Sequence, residues 1–404
     1  MPQPPIPIIG AGLAGLTLSR CLLHHAIPSI IYEKAPKKAS NNYAITLNRS
    51  TYQPLLSILK IDEADFKQRV GVGVAVDDAE REIGGGADSM GTTTVRVNRA
   101  KLEEVLREGL DIRWNFSLQS IDTTPTAGTA KTESRLHFAN GEELQTAFFI
   151  GADGVHSQLR NLFLPPPAST VQVLPYVVYN GKRRVDRSVF DTEYATAGLG
   201  GGGGIVQVKH KDALFRISLD SLGRGDGGGE VVGISWTYSR PAHPSSSSSP
   251  PDPDPLFRPN RSLASALEIP EPLFAELVTM STLLPPLLSA RFTTDILKKD
   301  RILHWLMRTT ATASLPVLQR LMKETGACMV GDAIHAQPIL GGKGANAAME
   351  DGVSLAEAIA AKGRAGVEGW YEERFEGWRR GVEESKGVIG EMHRVEARQA
   401  GGNL

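Results

Sequence analysis

Cysteine is almost absent from this 404-residue chain, which has only Cys21 and Cys328. Two thiols exclude a disulfide-stapled scaffold and a multi-cysteine zinc or iron–sulfur centre. No metal site is expected, and His24 and His25 read as helix-end residues favoured by the helix dipole. An excess of charge of one sign is also missing. Forty-four Lys and Arg face 45 Asp and Glu, for a net charge of −1 and a pI near 6.8. A general nucleic-acid binder would need a basic face; the short clusters Lys182-Arg183-Arg184 and Lys298-Lys299 read as solvated surface. No run reaches the roughly 18 apolar residues that span a bilayer. The best stretch, Leu283–Leu288, is interrupted by Pro285-Pro286, and the N-terminus lacks a charged region followed by a cleavage site. The expectation is a cytoplasmic protein with no membrane anchor, a monomer or homodimer. What the chain does have is 42 glycines, together with 41% hydrophobic and 22% charged residues, ample for a packed core. At about 150 residues per domain, the length suggests two or three structural units.

Residues 6–33 read IPIIGAGLAGLTLSRCLLHHAIPSIIYE. Ile6–Ile9 suits a buried parallel strand. Helical spacing then runs from Leu13 to about Ala26 and stops before Pro28, and a second strand covers Ser29–Tyr32 and ends at Glu33. Gly10, Gly12 and Gly15 keep G-x-G-x-x-G spacing between strand and helix. The first allows a tight turn, the second a close approach to a pyrophosphate, the third close helix–strand packing. The helix N-terminus offers free N–H groups to phosphates, and Glu33 stands where a ribose would be held. Strand, loop, helix and acid in that order point to a dinucleotide, without distinguishing NAD from FAD.

Two further segments matter. Phe148–Arg160 (FFIGADGVHSQLR) is a strand, a polar turn and a helix expected over Val155–Phe163, with Asp153 placed to cap it. In residues 327–360 a strand ends at Gly331-Asp332, a loop rich in proline and glycine follows, and a helix starts near Ala345. Together with the first motif these segments resemble the para-hydroxybenzoate-hydroxylase-like, or group A, flavoprotein monooxygenases. Gly151, Asp153, Gly154, Ser157 and Arg160 match that family's second motif. Gly331, Asp332, His335, Pro338, Gly342, Gly344 and Asn346 match its third. Val97–Leu102 is similar to its helix start carrying a flavin-contacting arginine, here Arg99. The departures are Lys343 and Ile339, where many relatives carry glutamine and a second proline. Lys343 either raises the flavin potential or points to solvent.

The resemblance implies an α/β fold: a discontinuous Rossmann-like FAD-binding domain, an inserted, mainly antiparallel β substrate domain, and C-terminal helices. The expected boundaries are 1–75, 95–170 and 290–362 for the first, 76–94 and 171–289 for the second, and 363–404 for a C-terminal helical segment. Expected cofactor contacts are Gly10, Gly12, Leu13, Ala14, Gly15, Glu33, Lys34, Arg99, Asp153, Asp332, Gly342, Gly344, Ala345 and Asn346. His335 is expected to be structural. The implied chemistry uses bound FAD, NAD(P)H as a transient donor, and O₂, forming a flavin C4a-hydroperoxide that hydroxylates or epoxidises an electron-rich, aromatic or polycyclic small molecule. No second βαβ motif for a dedicated nicotinamide domain is present.

Between the motifs, Val171–Asn180, Ile205–Val208, Ala213–Leu219 and Val231–Ser239 read as strands without intervening helices, hence an antiparallel sheet. Gly200–Gly204, Gly223–Gly229 and Ser245–Pro255 read as loops. For a phenolic substrate a nearby cation would favour the phenolate. The catalytic candidates are Arg183 and, as a hydrogen-bonding partner, Tyr238. Ile234, Trp236 and Tyr238 share one strand face that either lines the pocket or packs on the core. Trp370, Tyr371, Phe375 and Trp378 read as a helical packing stripe. The competing readings are a flavin-dependent reductase or oxidase without oxygen insertion, and a non-catalytic FAD-binding interaction protein. A flavin halogenase is disfavoured because no W-x-W-x-I-P-like motif occurs.

Overall fold

A computed structural model describes residues 4–37, 42–72, 94–125, 132–200, 204–224, 228–244, 253–262, 265 and 268–395. The chain forms two compact units. One comprises Met1–Gly71, Val97–Gln172 and Arg308–Lys386, the other Val72–Arg96, Val173–Met307 and Gly387–Leu404.

The first unit is built on a parallel sheet in the order Ala327–Met329, Phe149–Gly151, Ile6–Ile9, Ser29–Glu33, Asp111–Trp114. Ile6–Ile9 is buried along its whole length, as a strand with neighbours on both edges requires. The first helix, Leu13–His24, follows immediately. It packs against the long helix Gly344–Lys362 at Gly352, where a Cβ would lie 2.8 Å from the Leu18 nitrogen. Only a residue without a side chain permits that approach. The chain then continues as Gly366–Met392, whose Trp370, Tyr371 and Trp378 are buried and in mutual ring contact, with Phe375 half-buried.

Asp351, fully buried on the long helix, ties these pieces together. Its carboxylate accepts from the Gly331 N–H (3.0 Å), His335 Nε2 (2.5 Å), Arg374 Nη2 (3.0 Å) and Trp378 Nε1 (2.8 Å). His335 is stacked on Trp378 at 5.1 Å, a structural role as expected from sequence. Burial alone would raise the Asp351 carboxyl, but His335, Arg374 and Trp378 outweigh it and hold the group below its ordinary value.

The second unit carries an antiparallel sheet in the order Ile205–His210, Ala213–Arg224, Glu230–Pro241, Tyr176–Asp186, Arg301–Trp305. One face packs Phe215, Ile217, Ile234, Trp236 and Tyr238 against Leu273, Phe274 and Leu277 of the helix Glu271–Ser281. Trp236 lies across Gly181, where a Cβ would sit 2.0 Å from the indole.

Several sequence expectations shift. The segment 171–180 is not one strand: Val171–Val173 ends and Tyr176–Asp186 begins around Pro175, which has no N–H to continue a ladder. Arg301–Trp305 adds a strand that sequence reading did not identify. The helix expected over Val155–Phe163 begins only at Gln158, because the Ser157 Oγ caps it through the Arg160 N–H. Residues 290–307 belong to the second compact unit, and 363–386 join the first because the Asp351 cluster draws Trp378 onto it. The glycine run near Gly84, residues 201–203 and 225–227, and most of the serine–proline segment lie outside the described residues. Among those described, no helix is long and apolar enough to cross a membrane.

Removing the buried charge tests the Asp351 cluster. Asp351→Asn is expected to cost about 3 kcal/mol in urea unfolding, since the donors of His335, Arg374 and Trp378 lose their buried, charged acceptor. Because the folded carboxyl titrates below its unfolded value, its contribution is complete above about pH 4 and is lost as pH falls through the lower, folded value. The variant should therefore show a flatter acid limb than the parent.

Candidate cofactor site

At the carboxyl ends of the parallel strands lies a groove of about 380 Å³, lined among others by Gly10, Gly12, Glu33, Lys34, Arg99 and Asp153. The loop that opens it is fixed by backbone contacts. Gly10 has φ +108°, and a Cβ there would lie 2.4 Å from the Ala152 carbonyl oxygen. Gly12 differs: among the described residues, no atom lies within 4 Å of its ideal Cβ position. The space it leaves belongs to the groove, a bare-backbone approach of the kind a pyrophosphate needs. Leu13 and Ala14, both buried, form the first turn of the helix beside it.

Two carboxylates shape the groove. Glu33, at the end of its strand, accepts from the Ala11 N–H (2.6 Å) and the Ala35 N–H (2.8 Å), which fixes it beside the glycine loop. Asp153 Oδ2 accepts from the Gln158 N–H at 2.7 Å and caps that helix. Its Oδ1 is buried and has no hydrogen-bond partner among the described residues. Burial raises the carboxyl above its usual range, against the opposing pull of Ser157 and the Leu159 and Gln158 amides. A half-satisfied buried carboxylate on a groove wall is what a polyhydroxylated ligand would complete.

The groove's cationic side is a charge relay along one helix, Arg99–Arg107. Glu103, with a side chain 3% exposed, takes Arg99 Nε at 2.9 Å and Arg107 Nη2 at 3.1 Å. Arg99 also donates to the Tyr43 hydroxyl and lies over that ring, and Arg107 lies over Trp114. Glu103, Arg107 and Trp114 were not anticipated, although the R-x-x-x-E-x-x-x-R spacing carries the signal.

The third motif forms a neighbouring cluster and does not line the groove. Asp332 opens the short helix Asp332–His335, and burial raises its carboxyl despite His335, Arg99 and Arg160 nearby. Gly344 faces its Oδ1, and the helix Gly344–Lys362 begins there with no side-chain cap, leaving its first N–H groups available beside Gly342 and Ala345. Arg160, fully buried, joins the two motifs. Its Nη1 donates to the carbonyls of Asp332 (3.3 Å) and Ala333 (3.2 Å), and its Nη2 to that of Val155.

Three candidate residues make contacts that were not anticipated, and Lys343 takes the solvent-facing one of its two expected places. Asn346 accepts from the Asn48 N–H and donates to the Thr46 carbonyl, anchoring the strand Ala44–Asn48. Lys343 forms an ion pair with Glu384 at 3.0 Å on the surface, so its charge is compensated there. Arg183 forms an ion pair with Asp300 at 2.6 Å, donates to the Arg291 carbonyl and lies over Phe292. Tyr238 is 2% exposed and donates to Glu276, itself held by Arg240. Both catalytic candidates thus point into the core side of the second unit's sheet, where they hold that unit together.

The first unit's residues fit a flavin adenine dinucleotide: an open glycine approach at a helix N-terminus, an orphaned carboxylate oxygen, a held acid at the strand end and an arginine pair. Residues 4–167 and 291–372 match the family described as FAD binding domain. The fold and groove therefore define a flavoprotein. An FAD-dependent monooxygenase of Aspergillus niger, adaC, is 30% identical, covering 97% of this chain and 94% of its own. Another, nscC of Arthroderma otae, is 31% identical over 89% and 85%. Among solved structures, 2,6-dihydroxypyridine-3-hydroxylase from Arthrobacter nicotinovorans shares the fold at a TM-score of 0.68 and 14% identity, covering 100% and 96%. Klebsiella pneumoniae HpxO, complexed with FAD and uric acid, does so at 0.65 and 17%, covering 97% and 90%. The chain belongs to the FAD-dependent monooxygenases, in the para-hydroxybenzoate-hydroxylase-like group.

Two glycine substitutions separate folding from cofactor binding. Gly12→Val should leave the melting temperature of the FAD-free protein within about 2 °C of the parent, because nothing occupies the Cβ position, yet abolish retention of flavin on gel filtration. Gly15→Val, whose Cβ would meet the Gly10 carbonyl oxygen at 2.1 Å, should lower stability outright.

Proposed function

We propose that this monooxygenase draws electrons from NAD(P)H and hydroxylates or epoxidises an electron-rich, aromatic or polycyclic small molecule, acting in the cytoplasm as a monomer or homodimer. The observation that carries the reading is the groove at Gly12 and Asp153, which has the shape and the unsatisfied polar atom an FAD requires, in a chain whose relatives of full length are FAD-dependent monooxygenases. Bound FAD supplies hydride acceptance and oxygen activation.

The protein's own groups position and insulate. Glu33 and Asp153 are placed for hydroxyls of the dinucleotide, and the glycine loop with Arg99 for its phosphates. Asp332 and the uncapped start of Gly344–Lys362 are placed for the ribityl chain and the flavin ring. The positive end of that helix would favour negative charge on the ring. The heteroaromatic ring named for the Arthrobacter enzyme and the uric acid bound by HpxO support a flat, electron-rich substrate.

The test is spectroscopic and then kinetic. The purified protein should show a flavin spectrum, consume NADPH and O₂ in equal amounts with a subset of phenols, indoles and alkenes, and place one atom of ¹⁸O₂ in the product. A colourless protein that cannot be reconstituted with FAD overturns the reading. Flavin turnover that never labels a product replaces it with a reductase or oxidase.

A further inference from the structure

The helices Asp332–His335 and Gly344–Lys362 are joined by a loop whose one regular element is the turn Ile339–Gly341. The loop presents bare backbone: among the described residues, no atom lies within 4 Å of the ideal Cβ position of Gly342. Backbone of this kind lets a flat ring approach closely, at whatever height the loop is held. One face of the last helix, Gly366–Met392, holds it. Arg374, Trp378, Gly381 and Ser385 recur at steps of four, three and four residues, the spacing of a single helical stripe. Arg374 and Trp378 bind Asp351, and Trp378 stacks on His335. Gly381 and Ser385 continue the stripe with small residues, and the loop occupies the space they leave.

Two contacts fill that space. Gln337 lays its amide against Gly381, where a Cβ would lie 2.9 Å from Nε2, and its Oε1 accepts from the Ser385 hydroxyl at 2.8 Å. Gly341 meets Ser385 directly: a Cβ on Gly341 would lie 2.8 Å from the Ser385 Cβ and 3.0 Å from its Oγ. Gly341 is not among the glycines of positive φ, so its backbone conformation is open to any residue. What bars a side chain there is Ser385. Both residues are buried, Ser385 completely. Lys343 adds its ion pair with Glu384 of the same helix, but both side chains are about half exposed, and such pairs contribute little. The buried contact therefore decides where the loop stands, because a close-packed interior leaves it no slack.

We propose that Gly381 and Ser385 are positioning residues for the flavin ring, and that the helix face they form sets where the Gly341–Gly342 backbone stands beside it. Neither residue lines the groove, so their influence passes through the loop. A misplacement of well under 1 Å in such a support is enough to weaken binding and change the surroundings of a bound ring. The last helix thus does two things along one stripe: its Arg374 and Trp378 end fixes the loop's beginning, and its Gly381 and Ser385 end fixes the glycines. This inference rests on the flavin monooxygenase reading.

The test is a double-mutant cycle read on the flavin. Gly341→Ala should weaken FAD binding to the flavin-free protein at least about tenfold and shift the visible flavin band of the loaded protein. Adding Ser385→Gly, which removes the two atoms nearest that Cβ, should recover most of both effects, so the two changes should be strongly non-additive. Melting temperatures of the flavin-free proteins report folding separately. A Gly341→Ala protein with the parent's affinity and spectrum overturns the proposal, as does a folded double variant that binds no better than the single one. Should Gly341→Ala not fold, Gln337→Ala is read in its place. It removes the Ser385 hydrogen bond without adding an atom, and a parent-like affinity and spectrum there overturns the proposal equally. A parent that never retains flavin fails the monooxygenase reading; a parent that retains it, without coupling between positions 341 and 385, fails this one alone.

Discussion

A single buried carboxylate holds the cofactor unit in register. Asp351 sits where the first and last thirds of the chain meet, and its partners come from the loop at Gly331, the short helix bearing His335, and the C-terminal helix bearing Arg374 and Trp378. A negative charge at their centre ties those elements to one point. Backbone N–H, imidazole, guanidinium and indole donors converge on it, and it is fully buried. In that environment the charge is tolerable only because every direction supplies a donor. The loop that carries Asp332 is thereby fixed from behind, while Arg160 fixes it from the side through its carbonyl oxygens.

The motifs were legible because each obeys a local rule. Gly10 must adopt a conformation that other residues avoid, Gly12 must leave a space, and Glu33 must end a strand; all three constraints act within about 25 residues of chain. Asp351 obeys no local rule. It stands in an otherwise amphipathic helix next to Glu350, and nothing in that pair says which acid faces inward. Its partners lie at positions 331, 335, 374 and 378, so the information is in the packing.

The second unit was legible as a sheet and illegible as a site for a different reason. Period-two alternation reports that two faces exist and gives no sign of which one is covered by a helix. For the aromatic face with Trp236 and Tyr238 the sequence left two places open, a pocket wall or the core. The helix Glu271–Ser281, with Leu273, Phe274 and Leu277, claims that face for the core. Arg183 follows the same parity and is consumed by Asp300. A register slip of one residue exchanges the two sets of side chains completely, so alternation alone leaves the assignment of the two faces open.

The discontinuity of the first unit bears on how the protein is made. The strand Phe149–Gly151 is a central member of its sheet, yet its outer neighbour Ala327–Met329 emerges from the ribosome far later. At roughly 5–20 residues per second, the interval is on the order of tens of seconds. Throughout it, the edge of a hydrophobic parallel sheet has no partner, and the Asp351 cluster awaits Trp378 near the end of the chain. Nascent chains of this protein are therefore expected to spend that interval as clients of chaperones. Premature termination before Ala327 would release a Phe149–Gly151 strand with one edge unpaired instead of a smaller domain.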